Sequence, residues 1–193
     1  MDDNRDRQMS YLNITQEDIN IMSEYKDLFI KEADRVVNIF YNHVMKFAEL
    51  KKIIDNNSTV TRLKDIQRQY FISLASDKMD SSYINQRLAI GLRHRGLGLF
   101  PKWYIGTYQI YMSEIYMILK AKHFDDLAAH QRACTAFQKR INFDMQLAIE
   151  NYITDQLQQQ VAFSNNIGMV ATMIGDIGYF NAWIGWFWDT RKA

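Results

Sequence analysis

Ile90-Gly-Leu-Arg-His-Arg-Gly-Leu-Gly-Leu-Phe-Pro-Lys-Trp-Tyr104 is the stretch that decides how this 193-residue chain folds. It reads as the end of one helix, a glycine corner and the start of another. Tyr83, Arg87, Ile90 and His94 fall at i, i+4, i+7 and i+11, so His94 shares a helical face with Ile90. Gly96 and Gly98 are expected to break that helix, and Pro101, the sole proline, suits the first turn of the next. The outcome is a neutral-capable imidazole aimed off a last helical turn toward an apolar space. A heme iron needs that geometry from the side chain that holds it on one side.

The same residues resemble the proximal-histidine signature of the globin-coupled sensors, bacterial heme globins that include the aerotaxis transducers. The family pattern runs I-G-x-x-H-x-R-I-G-L-x-P-x-W-Y-I-G. The chain carries Ile90, Gly91, His94, Leu97, Gly98, Leu99, Pro101, Trp103, Tyr104, Ile105 and Gly106 in register with it. One position departs, because Gly96 stands where the family has an arginine, which is expected to loosen the corner. The resemblance implies an all-α globin fold, a b-type heme and a role in sensing a diatomic gas, mainly dioxygen.

Bulk properties are compatible with this and exclude several other classes. Charges nearly cancel, 23 basic against 22 acidic, so no field draws the chain to nucleic acid. A lone cysteine, Cys134, rules out an internal disulfide framework and fits a reducing cytosol. The polar start, Met1 to Ser10, has no signal-peptide character. One proline, eight glycines and 13% aromatics argue for long helices.

Along the chain, Thr15-x-x-Asp18 has the form of a capping box. Ile19, Met22, Leu28 and the run to Ala33 predict a first long helix; Val37, Phe40, Tyr41, Val44 and Phe47 predict a second. Asn56-Asn57-Ser58 reads as a turn, followed by a helix carrying Leu63, Ile66, Tyr70 and Leu74. Asp80-Ser81-Ser82 starts the His94 helix. Tyr104, Tyr108, Tyr111, Ile115 and Ile118 line the one after Pro101, and His123-Phe-Asp-Asp ends it. A last pattern runs Leu127, His130, Cys134, Phe137, Ile141, Met145, Ala148 and Tyr152. Six or seven helices are expected, with the histidine on the third from the end.

The resemblance also supplies a ligand side. Phe40-Tyr41 matches the family's Phe-Tyr pair, whose tyrosine faces bound ligand, and lies 94 − 41 = 53 residues before His94. A phenol hydrogen bond to partly charged dioxygen is worth about 1.5–3 kcal/mol, roughly tenfold or more in affinity. Leu63 and Ile66 belong to the helix that would cross that side, and Ile66 removes a second donor found there in some relatives. Ile90, Leu99 and Trp103 complete the expected pocket, and Tyr104 is placed to modulate His94. Arg62, Lys64, Arg68 and Arg87 are either propionate partners or a solvated basic face.

The expected organisation is a heme-binding domain over 1–160 and an apolar tail over 161–193. The tail holds Trp183, Trp186 and Trp188 beside Arg191-Lys192, so it either docks on the protein or contacts a membrane. The resemblance implies a homodimer built from helices 101–122 and 127–159, and a signal passed to a partner or an output domain. Location is expected to be cytoplasmic. No diiron carboxylate motif, phosphate loop or Cys-x-x-Cys is seen, so the reading is non-enzymatic. Two alternatives stand beside it: a globin that consumes nitric oxide or peroxide, and a heme-free globin-like interaction module.

Overall fold

The computed structural model describes residues 3–150. Eight helices occupy them and no strand occurs among them: α1 (Asp3–Tyr11), α2 (Gln16–Ser23), α3 (Lys26–Val44), α4 (Ala48–Asn57), α5 (Val60–Ser73), α6 (Ser81–Gly96), α7 (Pro101–Lys122) and α8, which is helical over 127–150. His94 therefore lies on the third helix from the end of the described residues, as expected.

Three helices meet through aromatic rings at the centre. Phe29 of α3 stacks between Phe71 of α5 and Phe137 of α8, with centroid distances of 4.6 and 4.7 Å. All three rings are fully buried, and each such side chain contributes about 1.5–3 kcal/mol by leaving water. The inward face of α7, Tyr104, Tyr108, Tyr111, Ile115 and Ile118, closes this core. A second cluster joins α1, α6 and α8 through Met9, Leu12, Ile84, Phe143 and Leu147.

Helix starts follow the cap chemistry. Thr15 accepts from the Asp18 amide while the Asp18 carboxylate accepts from the Thr15 amide, the reciprocal pair expected of a capping box. Asp80 caps α6 through the Tyr83 amide, and Pro101 opens α7.

Four boundaries differ from the sequence reading. The predicted first and second helices are divided at Glu24–Tyr25, so that Leu28 to Val44 is one continuous helix. Asn56-Asn57-Ser58 closes a helix, α4, that the pattern did not suggest, and Thr59 rather than that cluster caps α5. The polar start is helical too: α1 is held to α8 by Arg5–Glu150 at 2.7 Å and by Gln8–Gln146 at 2.9 Å. Finally, Gly96 is still inside α6, and only Gly98, at φ 70°, takes the left-handed conformation that turns the chain. The domain boundary expected at 160/161 and the whole apolar tail lie outside the described residues.

Candidate functional site

His94 ends α6 half-buried, and its Nδ1 lies 3.0 Å from the Ile90 carbonyl one turn earlier. A carbonyl only accepts, so Nδ1 carries the proton and donates, which leaves the lone pair on Nε2. Burial holds the His94 pKa below the ordinary histidine value; the Ile90 bond opposes this and the nearby Arg93 charge reinforces it. The side chain is thus a neutral imidazole with a fixed tautomer, the form that ligates metal.

Tyr104, from the first turn of α7, lies against the ring at 5.0 Å between centroids. Its hydroxyl bonds to Tyr108 at 2.5 Å, so it is the Ile90 carbonyl that accepts the Nδ1 proton and Tyr104 packs beside the imidazole.

Behind Tyr104 is a buried polar assembly that the sequence reading did not find. Tyr70 of α5 donates to Asp144 of α8 at 3.0 Å and reaches Tyr108 at 3.4 Å. Tyr83 and Arg87 of α6 donate to the same carboxylate at 2.6 and 2.9 Å, and Arg87 also donates to Ser73 at 2.6 Å. Arg140 donates through Nη1 to the carbonyls of Leu74 and Ser76 at the end of α5, both at 2.8 Å, with Nε and Nη2 left without a hydrogen-bond partner among the described residues. Arg87, Arg140 and Asp144 are 3%, 0% and 0% exposed. Arg87 is accordingly neither a propionate partner nor part of a solvated face, as the sequence had suggested: its stripe turns inward with Tyr83. Burial opposes its charge, but Asp144 more than offsets this and keeps the guanidinium ionised. Burial pushes the pKa of Tyr70, Tyr83 and Tyr108 up, so all three stay protonated donors. The signal that would have revealed the assembly is Arg140 and Asp144 within the apolar stripe of α8, alongside Phe137, Ile141 and Ala148.

On α3, Phe40 and Tyr41 are both buried, and Phe40 stacks on Tyr111 at 5.3 Å. Tyr41 is 4% exposed, and burial alone drives its pKa up. Its hydroxyl makes no hydrogen bond to any described residue. Tyr111 links the two sides: after burial, the Tyr41 and Tyr104 hydroxyls are what raise its pKa, and its own hydroxyl donates to Gln67 at 2.8 Å. Leu63, Ile90, Leu99 and Trp103 are partly buried against the main core, with Trp103 packed on Phe47 at 5.3 Å, while Ile66 on α5 is 48% exposed.

Of the remaining histidines, exposed His43 packs on the Phe47 ring at 5.3 Å, and the other two have local polar partners. His130 Nε2 lies 3.4 Å from the Cys134 sulfur, and His123 Nε2 lies 2.6 Å from the Tyr25 hydroxyl. Among the described residues no group of three or more His, Cys, Asp or Glu side chains could hold a metal ion. A single imidazole with a fixed tautomer suits a metal that arrives with its other ligands already in place, as iron does in a porphyrin.

Comparisons with known proteins agree with this arrangement. The Protoglobin family model matches residues 1–158. The heme-based aerotactic transducer HemAT of Halobacterium salinarum is 29% identical over 164 residues, covering 78% of this chain and 33% of its own length. The chain thus spans about a third of that relative. Among solved structures, the globin domain of the Geobacter sulfurreducens globin-coupled sensor superposes with a TM-score of 0.72 at 18% identity, covering 77% of this chain and 97% of that one. The described helices therefore have the globin fold.

Proposed function

The chain belongs to the Protoglobin family, and from that premise we propose that it is a heme-based gas sensor, reversibly binding dioxygen, and also carbon monoxide or nitric oxide, at a b-type heme. The observation that carries this reading is His94, neutral, half-buried and committed through Nδ1–H to the Ile90 carbonyl, which leaves the Nε2 lone pair for a metal. The donor set fits heme, and the iron would supply the gas-binding position. HemAT, by its name a heme-based aerotactic transducer, supports the same role.

This chain's residues divide the work. His94 holds the prosthetic group, and the Ile90 carbonyl orients its ring and raises its basicity. Tyr41 offers the ligand a protonated phenol with no hydrogen-bond partner among the described residues, so donating breaks none of their bonds. Phe40, Leu63, Ile90, Leu99 and Trp103 supply apolar walls that keep water from the pocket, and Tyr104 buttresses the imidazole. Output runs through a homodimer formed by α7 and α8. Ile105, Tyr116 and Met117 on α7, with Phe124 at the corner before α8 and Leu127 at its start, leave apolar area exposed for such a contact. The signal passes to a cytoplasmic partner or an attached output module, with no nucleic acid and no turnover involved.

The test is oxygen binding by the ferrous protein under stopped flow. A stable complex that releases oxygen reversibly is expected. Rapid oxidation to the ferric state, or steady consumption of nitric oxide or peroxide with a reductase present, would assign the chain to redox enzymology instead. Sedimentation should give a dimer, and charged substitution of Met117 should yield monomers.

A further inference from the structure

Helices α6 and α8 are spliced together over two turns, in matched steps of four residues. Arg87 and Tyr83 meet Asp144, and one turn further along both helices Gly91 meets Ala148. At the second point the backbones themselves touch: a methyl group built on Gly91 would overlap the Ala148 carbonyl oxygen and crowd its Cα and carbonyl carbon. No flexible side chain lies between the helices there to absorb a displacement. Gly106, by contrast, has nothing within 4 Å of where its Cβ would stand, so the signature's glycines are not equivalent.

The position of this splice matters because His94 is the next turn of α6, three residues beyond Gly91. A shift of the imidazole has two ways out. One is sideways through the Tyr104 ring on α7, at 5.0 Å between centroids, and on through the Tyr104, Tyr108 and Tyr70 hydroxyls to Asp144. The other is along α6, whose hydrogen-bonded backbone passes directly onto α8 at a backbone-to-backbone contact and a buried ion pair. Close-packed interfaces of this kind move as units or switch between discrete packings, rather than yielding gradually.

We infer that the Gly91–Ala148 contact and the Arg87–Asp144 pair are the coupling element of the sensor, carrying displacement of His94 into α8 without passing through α7. The inference rests on the heme reading above. Gly91 and Asp144 are positioning residues: they touch neither heme nor gas, and act by fixing α6 on α8.

The experiment is amide hydrogen exchange across α6 and α8 in the heme-loaded full chain, ferrous against carbon monoxide-bound. It is run beside resonance Raman of the iron–histidine stretch in the unliganded ferrous state. In the wild type, exchange near residues 87–91 and 144–150 should change together on binding carbon monoxide. Gly91→Ala should keep a carbon monoxide-responsive Soret band, shift the iron–histidine stretch, and lose the ligand-dependent change in α8. Gly106→Ala and Tyr104→Phe should retain that change. Should Gly91→Ala not fold, the test rests on the wild type, which must show the α8 change, and on Tyr104→Phe, which must retain it. Unchanged α8 exchange in the wild type, or an α8 response that survives Gly91→Ala and vanishes in Tyr104→Phe, would overturn the coupling route while leaving heme binding intact. A wild-type protein that takes up no heme would remove both readings, and its missing Soret band identifies that case.

Discussion

The two sides of the proposed heme differ in how their polar side chains are engaged. Around α6, the Ile90 carbonyl fixes His94, and Tyr83 and Arg87 converge on a fully buried Asp144. On α3, Tyr41 is buried too, but its hydroxyl has no hydrogen-bonding partner among the described residues. The contrast therefore separates a region built for rigidity from one that keeps a donor in reserve. The first should fail by unfolding or losing the prosthetic group, the second by changing ligand kinetics alone.

The contrast is broken most severely at the iron ligand, where His94→Ala should abolish stable heme uptake, read as loss of the Soret band after reconstitution. Next comes the lock behind it. Asp144→Ala leaves Arg87 buried and unpaired, which should cost about 3–5 kcal/mol and lower the melting temperature by about 10 °C in a calorimetric scan. Tyr41→Phe should do the opposite kind of damage: no loss in thermal stability, but oxygen dissociation faster by roughly tenfold or more. Carbon monoxide, which accepts hydrogen bonds poorly, should change much less. Similar rates for both gases in wild type and variant would erase the distinction between the two sides.

The smallest effect belongs to a partly exposed lock of the same kind. Asp18 pairs with Lys139 of α8 at 2.8 Å and completes the Thr15 cap. Burial tends to raise its pKa, but Lys139 and the Thr15 bonds outweigh this and hold it below the usual carboxylate value. A lowered folded-state pKa means stability that is present above the unfolded value near 4 and lost as pH falls through the folded one. Asp18→Asn should cost about 1 kcal/mol at neutral pH and flatten the acid limb of a denaturation series.

What could be read in advance follows from the range of the interactions. The α6–α7 corner was legible because glycine, proline and a cap act within a few residues, and Asp80, Gly98 and Pro101 all behave as their chemistry dictates. The break at Glu24–Tyr25 was not, since it contains neither glycine nor proline and Tyr25 makes no side-chain cap bond. Helix α1 was hidden because its few apolar residues, Met9 and Leu12, become meaningful only against Phe143 and Leu147 of α8. Likewise, Arg87 looks like a surface charge until Asp144, 57 residues away, is brought beside it. The Nδ1 partner of His94 was left open between a carbonyl and Tyr104, and the ring geometry decides it for Ile90.

The central claim, that His94 holds a gas-responsive heme, is tested most directly by the absorption spectrum of the reconstituted protein. Ferric, ferrous and ferrous plus carbon monoxide forms would be recorded for wild type and His94→Ala. The account predicts a Soret band that shifts with gas in the wild type and collapses in the variant. A wild type that stays colourless, or a variant whose spectrum matches it, would contradict the account.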